Sequence, residues 1–178
     1  MRSWLAAAGF FAAAALSTSV ADADVVTIGH TTFDFDAPAA PLTAAELRFF
    51  QAYKDAVNRR DEAAFMALQD ASINGCTTVG RKLILQNFDK TIPDDAKVRY
   101  FAVTADIAEE MGFGDLAYLS ARPSAVLGII ARTASAQEVK IVTILAPVRQ
   151  TADAFAFVPY CLTDKGKALL EQKTQTRP

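Results

Sequence analysis

Cys76 and Cys161 are the only two cysteines in this 178-residue chain. About 85 residues separate them, so a bond between them would close roughly half of the chain into one loop. Whether that bond forms depends on the compartment, and the N-terminus addresses that. Met1-Arg2 supplies a positive charge, "WLAAAGFFAAAAL" (4–16) an apolar run, and "STSVADA" small residues at the positions a signal peptidase reads, ending at Ala23. The run is too short to span a bilayer, which takes about 20 apolar residues. We therefore read 1–23 as a signal peptide and expect a periplasmic or secreted protein after cleavage near Ala23. In that oxidising setting the cysteine pair is expected to form a structural disulfide. Redox-active pairs sit close together in electropositive turns, and this spacing is that of a staple. The chain-entropy model values such a loop at about 4–5 kcal/mol as an upper figure.

Charge narrows the partners. The formal net charge is −2, whereas a protein that binds nucleic acid through phosphates carries a basic surplus. No nucleic-acid partner is expected. No later apolar run reaches membrane-spanning length, so the mature chain should carry no span.

Residues 24–42 begin with a strand-like "VVTI" and then lose periodicity, reading as an N-terminal arm. Residues 43–173 read as a single α+β domain and 174–178 as a disordered tail. Thr43 and Glu46 form a T-x-x-E capping box at the start of a helix. Leu47, Phe50, Tyr53 and Val57 recur at helical spacing, widened by Phe49, Ala52 and Ala56. Asp61 caps a second helix carrying Phe65, Met66 and Leu68, and 79–92 reads as a third. From Lys97 the pattern changes to strands over 97–107, 116–132, 139–150 and 154–163. Pro123, Pro147 and Pro159 fall within these runs, at positions that must be edges, bends or bulges, so the sheet is expected to curve strongly. A last helix is expected over 164–173, capped by Thr163 or Asp164.

Three stretches resemble the NTF2-like (SnoaL-like) cone domains: "FFQAYKDAVNRRDEAAFMAL" their opening helix pair, "GDLAYLSAR" a strand entry, and "VRQTADAFAFVPY" their closing hairpin. The resemblance covers about residues 43–163. It implies N-terminal helices packed on a strongly curved antiparallel sheet, the cone of NTF2-like and cystatin-like folds. One departure is plain: only residues 70–79 are available for the hairpin such cones carry between their second and third helices. That superfamily contains isomerases, dehydratases, cyclases and binding modules, so the fold does not choose a function.

Its enzymes place an acid or base inside the cone. Here the single histidine, His30, lies in the arm ahead of the first helix, which rules out a His-Asp dyad on the cone itself and a multi-imidazole zinc site. No metal or other cofactor is expected. If the protein is an enzyme, Asp106 is the general-base candidate, in phase with Tyr100 at the end of a strand. Phe50, Tyr53, Tyr100, Tyr118, Arg122 and Tyr160 are the candidates for a ligand pocket, combining aromatic walls with polar handles; core packing would account for the same aromatics. "CLTDKGKALLEQ" resembles the exit from the wing of MarR-type winged-helix regulators. Its physical content is only an N-cap and an amphipathic turn, and the charge balance and leader oppose DNA binding.

The sequence thus favours an exported, non-catalytic binding or accessory domain for an apolar or mildly anionic small molecule or an envelope protein. An NTF2-like acid–base enzyme is the alternative. A third reading is a homodimer packed through its sheets, because the 139–149 strand is apolar at nearly every position.

Overall fold

The computed structural model describes residues 24–77, 91–113, 121–134, 139–152, 154–159, 161, 163–164 and 166–168. Helix α1 spans Ala44–Arg59 and starts at the expected box: Thr43 Oγ1 accepts from Glu46 N–H at 3.2 Å, while Thr43 N–H donates to the Glu46 carboxylate at 2.7 Å. It ends at Arg60, whose left-handed φ of 57° turns the chain. The buried stripe is Phe49, Phe50, Tyr53, Ala56 and Val57. Leu47, expected in that stripe, is 47% exposed, because it falls beyond the edge of the buried arc on a 3.6-residue wheel. Helix α2 (Glu62–Ala67) follows with Asp61 as N-cap, accepting from Ala64 N–H at 2.9 Å. A 3₁₀ turn at Ala71–Gly75 leads to Cys76.

The N-terminal arm is a hairpin instead of an aperiodic lead-in. Strands β1 (Val25–Ile28) and β2 (Thr31–Asp34) pair antiparallel across Gly29-His30. Gly29 has φ +56°, at the first position of a two-residue turn, which glycine adopts freely. The overlooked signal is the alternation Thr31, Phe33, Phe35, all buried, against Thr32 and Asp36, both exposed.

The main sheet is an antiparallel meander of β3 (Lys97–Ala102), β4 (Ala125–Ala134), β5 (Val139–Gln150) and β6 (Phe155–Phe157), in that order. Each strand is shorter than or equal to its expected run. β3 stops at Ala102 because Thr104 caps a short helix, α3 (Ala105–Glu110), accepting from Ile107 N–H at 3.2 Å. β4 begins only after Pro123. Pro147 lies inside β5, yet costs the ladder nothing. Its carbonyl accepts from Val158 N–H at 2.9 Å, while Ser124 N–H donates to the next carbonyl, Val148, at 2.8 Å. Residue 147 therefore turns its polar atoms away from β4, and the missing N–H lies where β6 has ended.

Both faces of this sheet are covered. On one, Leu127, Ile129, Ile144, Ala146 and Val148 pack beneath α1 and α2 with Phe65 and Phe157. On the other, Val126 and Ile130 pack with Phe33, Phe35, Ile107, Phe113 and Val158 from the hairpin, α3 and the chain after β6. The apolar character of β5 on this second face is met in part by the chain itself, since Leu145 packs against the cluster that the hairpin and α3 form. Helices and hairpin thus sandwich the sheet, where helices on one face alone were expected.

Gly128 sits where the cover is closest. A Cβ built there would lie 2.6 Å from the Phe101 ring and 2.8 Å from that of Phe35. Gly128→Val should destabilise the protein by about 1–3 kcal/mol, the usual cost of overpacking, measurable by urea unfolding, with Gly128→Ala intermediate.

The helix expected over 79–92 falls almost wholly outside the described residues, as do Tyr118 and Tyr160. Near the C-terminus, residues 164 and 166–168 are helical, and Thr163 is the cap: its Oγ1 accepts from Gly166 N–H at 2.8 Å. Cys76 and Cys161 are bonded, with Cα atoms 5.7 Å apart, inside the ordinary disulfide range. Both are buried in the helix-side core.

Candidate functional site

Between the hairpin on one face and α1 on the other, residues 35–43 must pass around the sheet, and they do so beside β3. An open groove of about 660 Å³ results, lined by Phe35, 39–43, Glu46, Val98, Arg99 and Tyr100. Its walls are polar and apolar in nearly equal measure, and several of its polar groups are held internally. Arg99 donates through Nη1 to the carbonyls of Asp34 (2.8 Å) and Ala37 (2.7 Å), and its guanidinium lies 5.4 Å from the Phe101 ring centroid. The Tyr100 hydroxyl donates to the Glu46 carbonyl at 2.9 Å, tying β3 to the first turn of α1. Burial, reinforced by the Glu46 carboxylate, pushes the Tyr100 phenol up, so it stays a neutral donor. β3 is an edge strand, and among the described residues no backbone group outside β4 bonds to 97–102. The groove therefore presents an unpaired strand edge.

Of the pocket candidates with described side chains, only Tyr100 lines this groove. Phe50 and Tyr53 are 6% exposed, in the core under α1. There Phe157 stands 4.8 Å from both Phe49 and Tyr53, and Phe155 5.1 Å from Tyr100, centroid to centroid. These rings pack against one another in the core between α1 and the sheet. Burial pushes the Tyr53 hydroxyl up as well. Arg122 is exposed on the approach to β4. Asp106 is exposed in the first turn of α3, not in phase with Tyr100 on a strand. A helix N-terminus accommodates such a carboxylate as ordinary dipole compensation. His30 is exposed in the hairpin turn, where its backbone N–H donates to Glu110 Oε1 at 2.9 Å.

Sequence reasoning missed Phe35, Leu42, Thr43, Glu46 and Arg99 as groove residues. Thr43 and Glu46 were legible only as a helix start, and nothing local announces that 35–43 wraps around a strand edge. Among the described residues, no cluster of three or more His, Cys, Asp or Glu side chains could hold a metal ion.

An ion pair with a buried carboxylate lies elsewhere. Asp70, 3% exposed, accepts from Ser72 N–H at 2.9 Å and from Arg149 Nη2 on β5. Burial pushes its carboxyl up, but the hydrogen bonds from Ser72 and the charge and hydrogen bond of Arg149 outweigh that and hold it below the usual carboxylate range. A depressed pKa contributes stability above the unfolded value of about 3.9 and loses it as pH falls through the folded value. The thermal midpoint of wild type should accordingly fall more steeply below pH 4 than that of Asp70→Asn, and calorimetry from pH 6 to pH 2.5 checks this.

Compared with protein-family profiles, curated proteins and solved structures, the chain matches none. Its function must be argued from the groove.

Proposed function

We propose that this chain is an exported, non-catalytic binding domain, and that the groove beside β3 holds an extended segment of another envelope protein. The observation that carries the reading is the outer edge of β3, unpaired among the described residues, lining a groove of mixed apolar and polar walls. An extended peptide laid there gains main-chain hydrogen bonds along the edge, while Leu42, Pro41 and Val98 offer apolar contacts to its side chains. Leu47, exposed one turn along α1 from Thr43, extends the apolar rim. Acid–base catalysis has less support, because Asp106 faces water and lacks the enclosed setting such chemistry uses.

Export belongs to the same reading. It is supported by the leader-like residues 1–23 and by the buried disulfide, and no helix among the described residues is long and apolar enough to cross a membrane. We also propose the NTF2-like cone as the architecture, supported by a capped helix pair followed by a meander of long antiparallel strands.

Native mass spectrometry of protein isolated from its host envelope tests the binding reading. A polypeptide should co-purify with wild type and be lost from a Val98→Pro, Leu42→Glu variant of unchanged circular dichroism. Retention by that variant, or a small molecule in place of a polypeptide, would overturn it.

A further inference from the structure

Asn74-Gly75 is the single Asn-Gly pair in the chain. It closes the 3₁₀ turn Ala71–Gly75, and both residues are exposed. The turn is anchored at its two ends. Asp70 caps it, accepting from Ser72 N–H at 2.9 Å and pairing with Arg149. At the other end Cys76 N–H donates to the Ile73 carbonyl at 3.0 Å, and the Cys76 sulfur is bonded to Cys161. Between these anchors no residue of the turn is fully buried, so it can open while the core stays in place.

Gly75 answers to neither of the usual demands for glycine. Its backbone lies outside the left-handed region, and a Cβ built on it would meet nothing within 4 Å. What the missing side chain does provide is unhindered access to its own nitrogen, and the carboxamide carbon of Asn74 is within reach of a five-membered ring. That carboxamide makes no hydrogen bond among the described residues. Asn58 shows the protected alternative. It is followed by Arg59 within α1, and its Nδ2 donates to the Ile92 carbonyl while its Oδ1 accepts from Ile92 N–H, both at 2.8 Å.

We infer that Asn74 is a modification site, at which the protein deamidates spontaneously through Gly75. The Gly75 nitrogen gives up its proton to solvent base and bonds to Asn74 Cγ. The bond from Cγ to the side-chain nitrogen breaks, and ammonia leaves carrying that proton. Water then opens the cyclic imide. Attack at Cγ gives aspartate; attack at the main-chain carbonyl of residue 74 gives isoaspartate, with the chain continuing through the former side chain. No electrons are gained or lost. Ring closure requires Asn74 to leave the 3₁₀ conformation, so the reaction draws on the opened turn. The isoaspartyl product carries one extra methylene in the backbone two residues before Cys76, while the disulfide and the Asp70–Arg149 pair keep both ends attached.

Incubating the purified full chain at mildly alkaline pH in water enriched in heavy oxygen tests this, with peptide mass mapping as the readout. The peptide holding Asn74 should exchange its amide for one labelled oxygen, faster as pH rises, whereas the peptide holding Asn58 should not. Gly75→Ala, for which the turn has both room and backbone conformation, should slow the exchange severalfold at an unchanged thermal midpoint. The urea-unfolded chain supplies the reference rate. An Asn74 that stays intact in the folded protein while the unfolded chain reacts, or equal rates in wild type and Gly75→Ala, would overturn the inference.

Discussion

Removing the Cys76–Cys161 bond as a Cys76→Ala, Cys161→Ala pair lowers the thermal midpoint by roughly 10 °C, corresponding to about 3–4 kcal/mol. The loop spans 85 residues and holds all of β3, β4, β5 and β6, so the unfolded chain regains a large ensemble when the bond is lost. The full loop-closure value is not expected, because the same segments are joined a second time. Phe157 N–H donates to the Leu68 carbonyl at 2.9 Å, Asp70 N–H donates to the Phe157 carbonyl at 2.8 Å, and Asp70 pairs with Arg149. Differential scanning calorimetry of the oxidised protein and the double variant gives the number. A shift under 2 °C would mean that these other ties alone organise the segment.

Phe157→Ala is expected to cost about 3–5 kcal/mol, against 1–2 for Phe157→Leu. The ring is 6% exposed and contacts those of Phe49, Tyr53 and Phe65, at 4.8, 4.8 and 6.3 Å between centroids. It touches rings of both α1 and α2, so its loss leaves a void between the two helices and the sheet. Urea unfolding with an unchanged m-value reads the difference. The result also bears on function. A cost below 1 kcal/mol would mean that the rings enclose real space, reviving a ligand cavity inside the core over the groove at its edge.

How much of this was legible in the sequence follows from which interactions are local. The Thr43–Glu46 box, the Asp61 cap and the Phe49-to-Val57 stripe are decided within a few residues, and each appears where expected, except that Leu47 and Ala52 of the stripe are exposed. The short helix after Thr104 was equally local. It was read as strand because Tyr100–Val103 set a β pattern that the following residues were allowed to inherit. The N-terminal hairpin was missed for a different reason. Its turn, Gly29-His30, is visible, but its strands are four residues each and gain stability only by covering the far side of a sheet that begins some sixty residues later. The candidate site fared worst for the same cause. Phe50, Tyr53 and Tyr100 were chosen as aromatics with polar atoms, a property that core and pocket share. What separates Tyr100 from the other two is the course of 35–43 around β3, a tertiary fact with no sequence period.

The two margins of the sheet are not equivalent. Along β6, the backbone of Phe157 is already claimed by the stretch from Leu68 to Asp70, whereas among the described residues β3 pairs with β4 alone. A sheet open on both sides can add copies without end, as fibres do. Where a strand edge is bonded to the chain's own backbone, as at Phe157, it offers no ladder to a neighbour. If two copies met antiparallel through β3, the pairing would be two-fold symmetric and closed, so that edge would yield a pair and not a growing ladder.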